Sequence, residues 1–291
     1  MLHRDDLSEV EVVHDEVVAP STAPTTSATA IAELVRAAAD PALTEDFALA
    51  LLKRSDLQVE VLEQLAKNVS ALKSRKVKIA LASHARTPRH ISVPLARQFY
   101  TFDLMKVALS PGVLADVRVA VDNVLISRLQ TVTVGERLTL ARRASGRVAA
   151  ALLLEVADEN VKTGEAKSSR AKMKTKTMNA GTPSRQPRVM QTALDNPRLG
   201  EMLVINSVLR PNASAALVHA VSRHAKWSRR KEIRVALLRT EYLSLARALE
   251  FSQEITAPKL DELLASSRLP TKIKDLLSRD KLGPPPACRA E

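Results

Sequence analysis

Residues 45–83 read EDFALALLKRSDLQVEVLEQLAKNVSALKSRKVKIALAS. Apolar residues recur there at helical spacing, in short packets. Phe47, Leu51 and Leu52 share a face, then Val61, Leu62 and Leu65, then Val77, Ala80 and Leu81. Upstream, Ile31, Leu34 and Val35 do the same. Each packet covers about 9–13 residues, and the breaks between packets carry Pro, Asp, Ser or Thr. Helix entries are expected at Thr44 ahead of Glu45, Asp56 ahead of Gln58, Pro111 with Gly112, and Ser228 ahead of Arg229. About fifteen such helices fit the chain, and no alternating β-rich stretch competes with them. Short antiparallel helices in long succession predict an all-α bundle or a stacked solenoid.

The pattern returns 156 residues later, which favours the solenoid. Asp40-Pro41-Ala42-Leu43 meets Asn196-Pro197-Arg198-Leu199, and Arg54 meets Arg210. Val61, Leu62 and Leu65 meet Leu217, Val218 and Val221, and Leu104 meets Leu260. Only nine identities fall in residues 36–118, yet the apolar register holds without a gap. The expected architecture is an α-solenoid of short antiparallel helix pairs in two tandem modules.

In these stretches the chain resembles bacterial HEAT-like α-solenoid proteins, including the leucine-rich-repeat-variant type. Residues 193–199 (ALDNPRL), 217–221 (LVHAV) and 227–238 (WSRRKEIRVALL) carry the resemblance, with Arg86-Thr87-Pro88 at a helix junction. It covers residues 30–280 and implies an armadillo-like superhelix that offers an interaction surface, with no catalytic residues. Segment 161–188 departs from the pattern and splits the pairing of Val148–Glu155 with Val189–Leu194. The expected organisation is an acidic disordered tail at 1–29, a first module at 30–160 and a basic flexible insert at 161–188. A second module follows at 189–280, and a tail at 281–291.

Composition narrows the function. Seven glycines stand where average usage would give about 20. They are too scattered for a P-loop or a dinucleotide fingerprint. The longest uncharged apolar run, Val148–Leu154, is far too short to span a bilayer. The acidic start lacks the features of a secretory signal, and Cys288 has no disulfide partner, so a cytoplasmic protein is expected. Net charge is +12 and uneven: residues 1–20 carry −5, whereas 161–188 carry +7.

The candidate surface is a basic stripe present in both modules. Lys67, Lys73, Arg75, Lys76 and Lys78 recur as Arg223, Arg229, Lys231 and Arg234, joined by Lys226 and Arg230. Arg229, Arg230 and Lys231 are expected in the first turn of a helix, where backbone amides and basic side chains together suit an anion. Alternatively, the Lys and Arg stems cover grooves between helices while their heads stay solvated. The insert has no aromatic residue, so it would hold nucleic acid through phosphates alone. Trp227 is expected to anchor a helix entry, and Phe99, Tyr100 and Phe102 to pack at a junction. The six histidines include no H-E-x-x-H pair, so no metal, cofactor or catalytic residue is assigned.

The leading expectation is a non-catalytic scaffold for a protein partner. The alternative is nucleic-acid or other polyanion binding through the basic faces. A HEAT-like DNA glycosylase is the remote third reading.

Overall fold

The computed structural model describes residues 25–155 and 185–282. Among them every regular element is helical and no strand occurs. The first run holds α1 (Thr25–Ala39), α2 (Glu45–Leu52), α3 (Val59–Lys67), the short α4 (Val69–Lys73) and α5 (Arg75–Ser83). It continues with α6 (Arg89–Arg97), α7 (Thr101–Leu109), α8 (Ala115–Ser127), α9 (Val134–Arg143) and α10 (146–155). The second run holds α11 (Arg185–Leu194), α12 (Glu201–Val208), α13 (Ala215–Arg223) and α14 (Lys231–Leu238). It ends with α15 (Leu245–Ser252), α16 (Ala257–Ser266) and α17 (Thr271–Leu282). Helix thus begins at Thr25 and again at Arg185, inside the segments expected as tail and insert. The rest of those segments lies outside the described residues.

Helices two apart in the chain lie side by side. α5 packs on α7, α6 on α8, α9 on α11 and α11 on α13. Likewise α12 packs on α14, α14 on α16 and α15 on α17. α1 meets α3 in the same way, and only across the extra α4 does the spacing widen, so that α2 meets α5. Helix starts at 45, 59, 75, 89, 101 and 115 are followed by starts at 201, 215, 231, 245, 257 and 271. Burial follows the same offset of 156: Val61, Leu62, Leu65, Val77, Leu81 and Leu104 are enclosed, and so are Leu217, Val218, Val221, Ile233, Leu237 and Leu260.

The glycine shortage shows in how the helices stop. Several end on a residue in extended conformation, among them Asn68, Ser74, His84, Ser110, His224 and Ser267. No left-handed glycine cap is there to satisfy the last carbonyls. Side chains from a later junction do so instead. Asn68 Nδ2 donates to Ala38 O (2.9 Å) and Asp40 O (2.8 Å), while its Oδ1 accepts from the amides of Ser70 and Ala71. His84 Nδ1 accepts from the Arg86 amide, so in the neutral ring Nε2 holds the proton and donates to Arg54 O at 2.9 Å. Arg86, Arg128, Arg198 and Arg268 likewise donate to carbonyls of earlier connections. A buried carbonyl left unpaired would cost about 1–3 kcal/mol, so these clasps hold successive junctions together.

Three helix entries differ from expectation. Pro111 and Gly112 form a turn, and α8 starts only at Ala115, after Leu114. Thr44 caps α2, but Gln58 rather than Asp56 precedes α3, without a side-chain bond. Ser228 does not start α14: residues 225–229 form a turn and Arg230 is the cap. The cause is Trp227. Its ring is 1% exposed, and Nε1 donates to Leu194 O at 2.8 Å. Sinking that ring folds the chain through Ser228 N–His224 O and Arg230 N–Trp227 O bonds before the helix can begin. Of the three cations expected in the first turn, only Lys231 is inside the helix.

Candidate partner-binding groove

The basic stripe is spread over the ends of α3, α4 and α13 and the starts of α5 and α14. Much of it is neutralised from within. Arg75 reaches the enclosed Asp103 (2.6 Å) and lies 4.8 Å from the Tyr100 ring centre. Lys76 pairs with Glu45 at 3.2 Å, and that hydrogen bond holds the Glu45 carboxyl below its ordinary range. Lys78 donates to Gln98 at 3.5 Å. Arg230 pairs with Glu201 at 3.6 Å. Arg234 pairs with Glu254, donates to Ser228 O at 2.7 Å and lies over the Phe251 ring. Lys226 lies 4.1 Å from the Trp227 ring centre. Lys67, Lys73, Arg223, Arg229 and Lys231 are exposed and have no ion pair among the described residues.

The junction aromatics divide. Phe99 is enclosed as expected, whereas Tyr100 is 69% exposed and Phe102 is outward as well. Packing therefore accounts for Phe99 only, because Tyr100 caps α7 and Phe102 sits in its first turn, facing away from the core.

A different basic feature emerges where α6, α8, α10 and α12 meet. One groove, between α6 and α8, is lined by Arg89, Val93, Arg97, Ala120, Asn123, Val124, Ser127 and Arg128. A second, between α8, α10 and α12, is lined by Ile126, Arg147, Ala150, Ala151, Leu154, Leu203, Asn206, Ser207 and Arg210. They join at α8, where Arg147 of one groove donates to Asn123 Oδ1 of the other at 3.0 Å. Five arginines and four Asn or Ser side chains thus surround a floor of Ala, Val, Ile and Leu, and no carboxylate is among the lining residues.

The arginines are engaged to different degrees. Arg128 is committed to the carbonyls of Phe99 and Arg97. Arg89 is 4.0 Å from Asp116, at the outer edge of an ion pair. Arg97 and Arg210 have no side-chain partner among the described residues, and both are exposed. Position 210 explains one freed charge. Its counterpart Arg54 is held by Asp56 at 2.8 Å, and the position equivalent to Asp56 is Asn212. Helix α6 itself, RHISVPLAR, contains no acid that could neutralise its arginines.

Close packing fixes the groove walls. Gly146 opens α10, and a Cβ there would run into the Arg198 carbonyl and Leu203, so only glycine lets α10 approach the α11–α12 connection. Beneath the groove, Asp122 is 2% exposed and accepts from Ser145 Oγ at 2.8 Å, with its other oxygen unpaired. Burial pushes the Asp122 carboxyl above its ordinary range, against the pull of Ser145, Arg147 and Arg118.

Residues 161–184 of the basic insert lie outside the described residues. Among the described residues, no group of three or more His, Cys, Asp or Glu side chains is placed to hold a metal ion, and no helix is long and apolar enough to cross a membrane. His84 and His224 serve as junction clasps: His224 Nδ1 accepts from the Lys226 amide and Nε2 lies 2.9 Å from Asp195. No protein family, curated protein or solved structure matches the chain.

Proposed function

We propose that this chain is a non-catalytic helical-repeat scaffold of the HEAT-like kind, which holds an acidic segment of a partner protein along the groove over α6, α8, α10 and α12. The carrying observation is the lining: five arginines with Asn and Ser around an apolar floor, and no carboxylate. Guanidinium forks suit carboxylates, and an apolar floor adds affinity only for a partner with apolar side chains of its own. A nucleic-acid backbone offers none.

The side-by-side order of alternate helices supports a solenoid. The recurrence of helix starts and buried positions at an offset of 156 supports two tandem modules. A labelled peptide of alternating Glu and Val, followed by fluorescence anisotropy at two salt concentrations, tests the function. Saturable binding that weakens with salt and is lost on Arg97→Glu with Arg147→Glu is expected. Binding that survives both changes would overturn it.

A second reading, polyanion binding at the stripe, draws on the exposed and unpaired Lys67, Lys73, Arg223, Arg229 and Lys231. It predicts duplex DNA binding that Arg229→Glu with Lys231→Glu removes and the groove substitutions spare. The remote glycosylase reading has little to draw on, since Trp227 is enclosed and no aromatic lines the groove.

A further inference from the structure

Resting on that reading of the groove, we infer that its resident occupant is this chain's own acidic segment, residues 5–18. The segment reads DDLSEVEVVHDEVV. Six acids, Asp5, Asp6, Glu9, Glu11, Asp15 and Glu16, alternate with Leu7 and five valines, at positions 10, 12, 13, 17 and 18. This is the complement of the groove: carboxylates for the arginine rim and branched apolar side chains for the Ala, Val, Ile and Leu floor. The strongly acidic stretch of an otherwise basic chain thereby meets a cationic surface whose lining contains no acid of its own.

The lengths agree. Residues 19–24 separate the segment from Thr25 of α1 and reach about 20 Å when extended. Helix α1 packs on α3, and Glu63 of α3 lies 3.7 Å from His90 of α6, so the groove begins two helix spacings from α1. Two spacings are about 16–20 Å. Fourteen residues, up to about 45–50 Å when extended, then cover the roughly 25–30 Å from α6 to α12. A tether this short gives an effective concentration on the order of millimolar, so a weak seat would still be filled within one chain.

The test uses the full chain and a fluorescein-labelled peptide of residues 1–20. In one variant the six acids are made neutral (Asp→Asn, Glu→Gln), which frees the groove and leaves every described helix unchanged in sequence. The neutralised chain should bind the peptide at least about tenfold more tightly than the wild type, and adding Arg97→Glu with Arg147→Glu should remove that binding. Equal affinity of wild-type and neutralised chains would overturn the inference. So would sedimentation showing a wild-type dimer that neutralisation dissolves, since the segment would then occupy a second copy. If the neutralised chain takes the Glu/Val peptide but not the 1–20 peptide, the inference falls and the groove reading stands. If neither peptide binds any form, both fall.

Discussion

The stripe and the groove are both basic, and they differ in what faces the cations. Along the stripe, Arg75, Lys76, Arg230 and Arg234 meet Asp103, Glu45, Glu201 and Glu254, and Lys226 and Arg234 lie against Trp227 and Phe251. In the groove, Arg128 holds backbone carbonyls, Arg147 leans on an asparagine, and Arg97 and Arg210 face solvent without a carboxylate. A cation whose field is already cancelled contributes to stability, whereas one left uncancelled can select a partner. The paired stripe cations should therefore fail by unfolding and the groove by losing its ligand.

The largest separation is expected at Trp227. Trp227→Ala leaves a cavity under the stripe and frees the Leu194 carbonyl, at a cost of about 3–5 kcal/mol in chemical denaturation. Trp227→Phe should recover much of that and leave peptide binding intact. Next, Arg97→Glu with Arg147→Glu should weaken acidic-peptide binding about 100-fold, since each 1.4 kcal/mol is tenfold. The melting temperature should barely move. Arg75→Gln, on the stripe, should leave the same titration unchanged. A stripe substitution that weakened peptide binding as much would erase the distinction.

Smaller effects sharpen it. Gly146→Ala forces α10 from α12 and should cost about 1–3 kcal/mol, whereas Gly135 in α9 has open space and Gly135→Ala should be neutral or stabilising. The smallest effect should be a pH signature at Asp122. Its folded-state pKa is raised, so the folded protein holds that proton more tightly than the unfolded chain. Stability is favoured below the unfolded value and lost as pH rises through the folded one. Asp122→Asn should therefore raise the melting temperature at pH 7, and its advantage over wild type should shrink toward pH 4.

How much of this was written in the sequence differs from element to element. Packets such as Val61, Leu62 and Leu65 announce their helices because burial on one face repeats at a local spacing. The recurrence at 156 residues is legible for the same reason: Val77 and Ile233, that far apart, are both buried. The α14 entry is not legible locally, because Ser228 resembles a cap while Trp227 binds a carbonyl 33 residues away. The groove is not legible in the sequence. Arg97, Arg147 and Arg210 come from three helices that only tertiary packing assembles, and the pairing of Arg75 with Asp103 spans 28 residues. One local signal was present: α6 has three basic residues and no acid.

The two basic regions are told apart most directly by the arginine Nε–Hε NMR spectrum of the acid-neutralised chain, titrated with the acidic peptide. Assignments by single Arg→Lys substitution identify each signal. The signals of Arg97, Arg147 and Arg210 should shift and saturate together, with those of Arg75 and Arg234 unmoved. Shifts confined to the stripe arginines, or no shift in the groove at saturating peptide, would contradict the assignment of the groove as the binding surface.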